Sequence, residues 1–242
     1  MTKLSVNINK VATLRNTRPQ LDIPSVVRCA KICLDAGAHG ITVHPRPDQR
    51  HIKPRDVDEI AELLKRFPHA EFNIEGNPFY DYMPIVRKVR PTQCTLVPDT
   101  PEALTSDHGW NVERDAARLK PIIAELKSLG CRVSVFMDAK LELMAGAAKL
   151  GVDRVELYTE PYAAAFERRD TEASRPYADA ARAASETGLA VNAGRDLNLE
   201  NLAPFLRDVP YVEEVSIGHA LIGDALELGL AETVQKYLRA CA

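Results

Sequence analysis

Apolar and polar positions along the chain form a repeating unit: an amphipathic segment, a glycine, a few small or polar residues, and then a short apolar run. The unit occurs around Gly37, Gly130, Gly151 and Gly188. Glycine suits the left-handed position that ends a helix before the chain enters a strand. The pattern therefore predicts four junctions at which a helix is followed by a strand.

Eight apolar or β-branched runs are predicted to be strands. They are Leu4–Ile8, Gly40–Val43, Glu71–Ile74, Gln93–Val97, Arg132–Phe136, Arg154–Leu157, Leu189–Asn192 and Val212–Ile217. Several are continuous, which is typical of parallel strands buried on both faces. Eight strands alternating with helices over 242 residues predict a (β/α)8 TIM barrel of the α/β class. A doubly wound open sheet is the alternative, but no GxGxxG motif opens a helix after the first strand.

No linker or change in composition divides the chain, so residues 1–242 are predicted to form a single domain. The longest irregular stretch is Pro98–Asn111, with the sequence PDTPEALTSDHGWN. It is too long for an ordinary connection between a strand and the next helix. We therefore predict a loop or helical excursion after the fourth strand, with a functional role such as that of a lid.

Composition and charge narrow the classes of partner. The chain is 45% hydrophobic and 27% charged, and its net charge is −3 at pH 7. It therefore lacks the broad cationic field that binds nucleic acid or anionic membranes, and we expect neither partner. No signal-peptide pattern and no apolar run of ~20 residues is present, so we expect a soluble cytoplasmic protein.

The cysteine pattern indicates reduced thiols. Five cysteines lie among apolar neighbours, and no CxxC pair occurs. Cys29 and Cys33 would share a helix face, but no second cluster completes a metal site. We interpret all five as small core residues and expect no metal.

The segment Gly40–Ile52, GITVHPRPDQRHI, concentrates candidate chemistry just after the second strand. Histidine exchanges a proton near neutral pH, and arginine binds a phosphate through paired hydrogen bonds. His44, Arg46, Arg50 and His51 therefore indicate an anionic substrate that undergoes proton transfer. Because the family roles given below use only His44, Arg46 and His51, Arg50 is interpreted as a surface or interface charge.

Polar residues also follow most other predicted strands, where barrel enzymes place their active sites. Glu75 ends the third strand and is the best candidate for a general base, because desolvation raises the pKa of a carboxyl group toward neutrality. A buried carboxylate neutralised by a basic neighbour is the structural alternative. Gly194 and Gly218 follow the seventh and eighth strands, where backbone N–H groups commonly bind phosphate. With the arginines after strand two, the sequence predicts two separate anion sites.

Six strings of the chain are similar to those of the pyridoxine 5'-phosphate synthase family, the PdxJ-type enzymes of vitamin B6 biosynthesis. They are VNIxxxATLRN from Val6, GITVHPRPDQRHI from Gly40, NIEG from Asn73, TLVP from Thr95, VNAG from Val191 and SIGHALIGDAL from Ser216. The resemblance implies a TIM barrel, a homo-octamer, and no metal or organic cofactor. It implies a transferase that condenses 1-deoxy-D-xylulose 5-phosphate with 3-amino-2-oxopropyl phosphate.

The resemblance also implies a role for each matching residue. His44 and Glu75 are expected to accept protons, and Glu156 to stabilise charge on the intermediates. The substrate-binding residues implied for deoxyxylulose phosphate are Arg46, His51 and Thr105, with Asn9 and Lys10 at positions that line the same seat. Those for the aminoketone phosphate are Asn7, Arg18, Gly194, Gly218 and His219, and Asp196 is a further predicted substrate contact.

Three departures from the family pattern open alternatives. Asn9-Lys10 replaces Asp-His, and Tyr158-Thr159-Glu160 replaces His-Thr-Gly. Arg195 stands where the family has its proton-donating histidine, and arginine stays protonated at any working pH. Another group, such as water or Tyr158, would then supply the proton.

One alternative is a catalytically impaired paralogue that binds phosphorylated metabolites. The other is a barrel lyase or epimerase for a ketose phosphate, with a metal or with Lys10 as the Schiff-base lysine.

Overall fold

The computed structural model describes all 242 residues, and its eight strands form a closed parallel barrel in chain order. The strands are β1 Lys3–Asn7, β2 Gly40–Val43, β3 Glu71–Gly76, β4 Gln93–Leu96, β5 Arg132–Met137, β6 Arg154–Tyr158, β7 Ala190–Gly194 and β8 Val212–Ile217. β1 closes the barrel by pairing with β8, with Lys3 opposite Glu214. The predicted TIM barrel is confirmed, and each predicted strand end lies within two residues of the observed one.

Eleven helices surround the barrel. They are α1 Asn9–Asn16, α2 Val26–Asp35, α3 Pro54–Leu64, α4 Tyr82–Val89, α5 Val112–Ser128, α6 Leu141–Ala148, α7 Glu160–Glu167, α8 Arg175–Glu186, α9 Leu202–Asp208, α10 His219–Leu228 and α11 Leu230–Ala240. Helices occur in pairs after β1, β6 and β8, so the chain carries three helices more than a minimal eightfold unit. None of the eleven is long and apolar enough to cross a lipid bilayer.

The four glycines of the repeating unit adopt the predicted left-handed conformation. Their φ angles are +103° at Gly37, +84° at Gly130 and Gly151, and +82° at Gly188. Each of the four follows the end of a helix and lies two or three positions before the start of a strand. The prediction of four helix-to-strand junctions is confirmed.

Polar side chains line much of the barrel interior. Gln93 on β4 donates a hydrogen bond of 3.1 Å to Glu214 on β8, across the barrel. Higher up, Thr42, Asn73 and Thr95 on three successive strands are linked by hydrogen bonds of 3.3 and 3.0 Å. The strands therefore alternate between polar positions that face the barrel interior and apolar positions that face the helices, and both faces are buried, as predicted. The apolar positions face the helices, where they join one continuous cluster of buried side chains.

The excursion after β4 is an irregular loop that contains turns but no helix or strand between Leu96 and Val112. Its far end is anchored to the barrel. The Trp110 indole N–H donates to the Leu96 carbonyl at 2.9 Å, and the Gly109 N–H donates to Asp138 Oδ1 at 2.9 Å. The loop therefore begins and ends at fixed points beside the carboxyl ends of β4 and β5.

The junction glycines provide a test of the fold. A β-carbon at Gly188 would have no heavy atom within 4 Å, so substitution by alanine introduces no clash and acts only through the backbone conformation. We expect Gly188→Ala to lower the free energy of unfolding by about 1–2 kcal/mol, because an L-residue is strained in the left-handed region. Urea denaturation followed by circular dichroism measures the change.

Gly223 is the matched control. It lies exposed inside α10, also with open space where a β-carbon would be, and its backbone is not left-handed. We expect Gly223→Ala to raise the free energy of unfolding by roughly 0.5–1 kcal/mol, because alanine favours the helix. Equal effects of the two substitutions would contradict the role given to the junction glycines.

Candidate active site

A cavity of about 430 Å³ lies at the carboxyl ends of the strands. Twelve of the fifteen predicted site residues line it: Asn7, Asn9, Lys10, His44, Arg46, His51, Glu75, Thr105, Arg195, Asp196, Gly218 and His219. The structure does not bring the other three into the lining. Arg18 is exposed after α1, Gly194 is the last residue of β7, and Glu156 is buried on β6.

The loop after β2 is held in place from below by two residues of α1. Arg15 forms a buried ion pair with Asp56 of α3, and its Nη2 donates to the His51 carbonyl at 3.3 Å. The Asn16 side-chain amide donates to the same carbonyl at 2.8 Å. Neither residue was predicted to have a role, although both lie in the string ATLRN.

His44 is buried and sits beside Glu75, with 3.7 Å between Nδ1 and Oε2. Its backbone N–H donates to Asn9 Oδ1 at 2.9 Å, which ties the end of β2 to the start of α1. Burial, followed by the positive charges of Arg46 and other neighbours, holds the pKa of His44 well below its usual range. His44 is therefore neutral at pH 7 and able to accept a proton.

His51 is also neutral. Burial, together with Arg46 and Lys10, lowers the pKa of His51 to about 4. Its Nδ1 accepts a hydrogen bond of 2.9 Å from the Ile52 N–H, so the ring proton is on Nε2. His51 thus offers a neutral N–H donor to a ligand in the cavity.

Glu75 and Glu156 are buried carboxyl groups without hydrogen-bond partners on any of their four oxygens. Burial raises the pKa of Glu75, and Arg195 opposes that effect. Burial and the charge of Glu75 raise the pKa of Glu156 to about 8. The two groups are therefore poised to hold a proton near neutral pH.

The Arg195 guanidinium lies between these carboxyl groups. Its Nη1 is 3.7 Å from Glu75 Oε1 and 4.0 Å from Glu156 Oε1. Its central carbon is 4.9 Å from the centroid of the Phe136 ring, over which the cation stacks. The backbone at Arg195 has φ of +103°, an unfavourable value for a residue other than glycine. The surrounding contacts hold the side chain in this position despite that strain.

The long loop after β4 is fastened to the cavity by arginines. Arg46 forms a buried ion pair with Asp99, and Ser106 Oγ donates to the same carboxylate at 2.6 Å. Arg195 Nη2 donates to Ser106 Oγ at 2.9 Å. Arg50 donates to the carbonyls of Pro101 and Ala103 at 2.9 and 3.0 Å and lines the cavity. Arg50 was interpreted as a surface or interface charge, and the structure instead places it, partly buried, in the lining of the cavity.

Ser106 and Asp99 were not among the predicted site residues. The sequence places them in the suspected lid, but nothing in the sequence shows that they connect Arg46 to Arg195. Ser216, also unpredicted, lines the cavity and its hydroxyl has no partner. A polar ligand in the cavity would find this hydroxyl free to bind.

The two glycines of the predicted phosphate site have steric roles. A β-carbon at Gly194 would lie 2.6 Å from Glu156 Oε1, so glycine leaves room for the buried carboxyl group. A β-carbon at Gly218 would lie 3.1–3.2 Å from atoms of Asn7. Gly218 and His219 line the cavity at the start of α10, and the N-terminus of a helix suits an anion.

Lys10 lies exposed at the rim of the cavity, in the first turn of α1. A lysine that forms a Schiff base is usually desolvated, and Lys10 is not. The structure contains no group of three or more His, Cys, Asp or Glu side chains arranged to hold a metal ion.

Comparisons with known proteins agree on the barrel and on the family. A thiamine phosphate pyrophosphorylase from Pyrococcus furiosus superposes with a TM-score of 0.63 over 99% of this chain and 95% of its own, at 14% sequence identity. That likeness shows the fold alone. Two proteins named pyridoxine 5'-phosphate synthase are far more similar. One from Albidiferax ferrireducens is 58% identical, with 100% of this chain and 98% of the relative covered. One from Christiangramia forsetii is 52% identical, with 99% of each covered.

The family model described as "Pyridoxal phosphate biosynthesis protein PdxJ" matches residues 4–242. The match confirms the resemblance that the six sequence strings predicted. This chain therefore belongs to the PdxJ family of pyridoxal phosphate biosynthesis proteins.

Proposed function

We propose that this chain is a transferase that makes pyridoxine 5'-phosphate from 1-deoxy-D-xylulose 5-phosphate and 3-amino-2-oxopropyl phosphate. One observation carries the proposal. A single cavity places a neutral imidazole, His44, beside a buried carboxyl group, Glu75, with cationic or N–H donor groups on both sides. This arrangement suits two phosphorylated substrates that exchange protons while they condense.

One phosphate site lies on the side of the loop after β2. Arg46 and the Nε2–H of His51 point to an anion there, with Lys10 and Thr105 at the rim. Arg46 is paired with Asp99. A substrate phosphate would compete with that carboxylate, so binding is coupled to rearrangement of the loop after β4.

The second phosphate site lies at the start of α10. Gly218, His219 and the nearby Asn7 line the cavity there, and the helix N-terminus favours an anion. Arg18 is exposed after α1 and does not line the cavity. Arg18 would bind this phosphate only after the segment that carries it moves toward the cavity.

The proton transfers fall to residues between the two phosphate sites. Neutral His44 accepts a proton from the substrate, and Glu75 lies next to it to accept or return another. Thr105 and Ser106 close the cavity on the side of the long loop, where they limit access of water.

Arg195 favours a second candidate function. A guanidinium cannot act as a general acid, so a protein that binds both phosphates without turnover is consistent with this side chain. The buried carboxyl groups beside Arg195 favour the enzyme. Burying two acids without hydrogen-bond partners costs free energy, and a site that only binds ligands does not require them.

We further propose that the chain acts in the cytoplasm as a homo-octamer. Leu14, Leu21 and Ile23 are exposed in α1 and in the segment that follows it. Exposed apolar side chains that are close together in the chain favour a subunit contact. Sedimentation velocity of the purified protein measures the state of assembly.

Glu75→Gln tests the proposed chemistry. We expect the unmodified chain to form pyridoxine 5'-phosphate from the two substrates, and Glu75→Gln to reduce kcat by roughly 10²–10⁴-fold, because the amide cannot exchange the proton. Glu59→Gln, an exposed change on α3, is the matched control and should leave kcat unchanged. Full activity of Glu75→Gln would contradict the role of Glu75.

Arg46→Met tests the first phosphate site. We expect the KM for 1-deoxy-D-xylulose 5-phosphate to rise by roughly 10–100-fold, from the loss of a charged hydrogen bond. The KM for the aminoketone phosphate should change little, because that phosphate binds at the opposite side. Arg66→Met, an exposed change just after α3, is the control. An equal rise in both KM values would show that Arg46 acts on the cavity as a whole.

A further inference from the structure

The two buried carboxyl groups and Arg195 form an unbalanced group of charges. Glu75 and Glu156 come from β3 and β6, and one oxygen of each lies within 4.0 Å of Arg195 Nη1. None of the four carboxyl oxygens accepts a conventional hydrogen bond. One guanidinium therefore faces two acids, and the only other basic group as close is His44, whose Nδ1 is 3.7 Å from Glu75 Oε2.

The neighbouring charges do not correct the imbalance. Arg46 is already paired with Asp99, and His44 is neutral. Two ionised carboxylates with one guanidinium would leave a buried net negative charge that no further cation neutralises, which is strongly unfavourable. A single proton removes that charge. The titratable or charged groups that face the pair are Arg195, His44, Arg46, Asp99 and Glu214.

We propose that Glu75 and Glu156 hold one proton between them at neutral pH, and that this shared proton replaces the one that Arg195 cannot donate. Glu75 lines the cavity and delivers the proton, whereas Glu156 lies behind it and acts as the partner that keeps it available. Arg195 compensates the remaining negative charge. The sharing rests on the contacts and burial of the two acids and on the neutral state of His44, and its use in turnover rests on the proposed function.

The proton has a defined use in the condensation. When a carbinolamine dehydrates, its C–O bond breaks, the oxygen takes the proton from the pair and leaves as water, and the nitrogen lone pair forms the C=N bond. The iminium nitrogen then returns its proton to the pair. The pair therefore begins and ends the step with one proton, and no other reactant is needed.

Infrared spectroscopy of the protein without substrates tests the sharing directly. We expect the C=O stretching band of a protonated carboxyl group at pH 7, and its loss at higher pH. Glu75→Gln and Glu156→Gln should each abolish this band, because the remaining acid then pairs with Arg195 alone and ionises. Once any contribution of Glu214 is subtracted, a band that persists in either variant, or one that is absent from the unmodified protein, overturns the proposal.

Glu214→Gln is the matched control. Glu214 is a buried carboxyl group at the opposite end of the barrel, and Gln93 and Asn192 donate hydrogen bonds to it. Any band that Glu214 contributes should vanish in this variant, while the band of the pair remains. Arg195→Met should move the titration of the pair upward by roughly one to three pH units, because an adjacent opposite charge is lost. An unchanged midpoint contradicts the role of Arg195.

The pH dependence of turnover tests the use of the proton. In the unmodified enzyme, kcat should fall as pH rises through the midpoint found by infrared spectroscopy, and Arg195→Met should shift both together. A kcat that is independent of pH across that midpoint overturns the catalytic part of the proposal. An unmodified protein that shows the band but forms no product overturns the proposed function and leaves the shared proton established.

Discussion

The contact of one guanidinium with two buried carboxyl groups is the interaction on which the rest of the site depends. Arg195 lies within 4.0 Å of Glu75 and Glu156 and also donates to Ser106 in the long loop. Through Ser106 and Asp99 the same network reaches Arg46, on the side of the predicted phosphate site. The charge of the acids, the position of the loop and the availability of Arg46 are therefore linked.

The barrel can carry these charges because its interior is largely polar. The apolar positions of the strands face the helices and supply the hydrophobic core, so the inward positions do not have to be apolar. At the lower end, Glu214 is bound by Gln93 and Asn192, and Arg132 lies 3.7 Å from it. The acids there have partners. Glu75 and Glu156 at the upper end lie near Arg195 but accept no hydrogen bond, which separates a structural layer from a reactive one.

Local features of the sequence were enough to predict the barrel. Gly37 and Gly188 end helices through their own backbone preference, and the strand runs carry their signal within a few residues. Polar residues after the strands predicted most of the cavity lining, because parallel strands bring their carboxyl ends to one face. These features are read from neighbouring residues in the chain.

Contacts between distant residues could not be predicted in the same way. Ser106 and Arg195 are 89 positions apart, and Arg15 and Asp56 are 41 apart, so no periodicity links them. Gly194 was predicted to bind phosphate. Its steric role is to leave room for the carboxyl group of Glu156 on the neighbouring strand β6, which a side chain at position 194 would clash with. Leu4-Ser5-Val6 belongs to a stretch with an alternating strand pattern, but the pattern alone does not show which of its faces turns toward the barrel interior, because that depends on the curvature of the sheet.

A single-turnover experiment on the unmodified protein shows whether the enzyme makes pyridoxine 5'-phosphate with Arg195 in place. One equivalent of each substrate is mixed with an excess of active sites, and pyridoxine 5'-phosphate and inorganic phosphate are quantified over time. We expect both to be released, with one equivalent of product for each equivalent of substrate consumed. Binding of both substrates without product, with turnover appearing only in Arg195→His, would contradict this expectation.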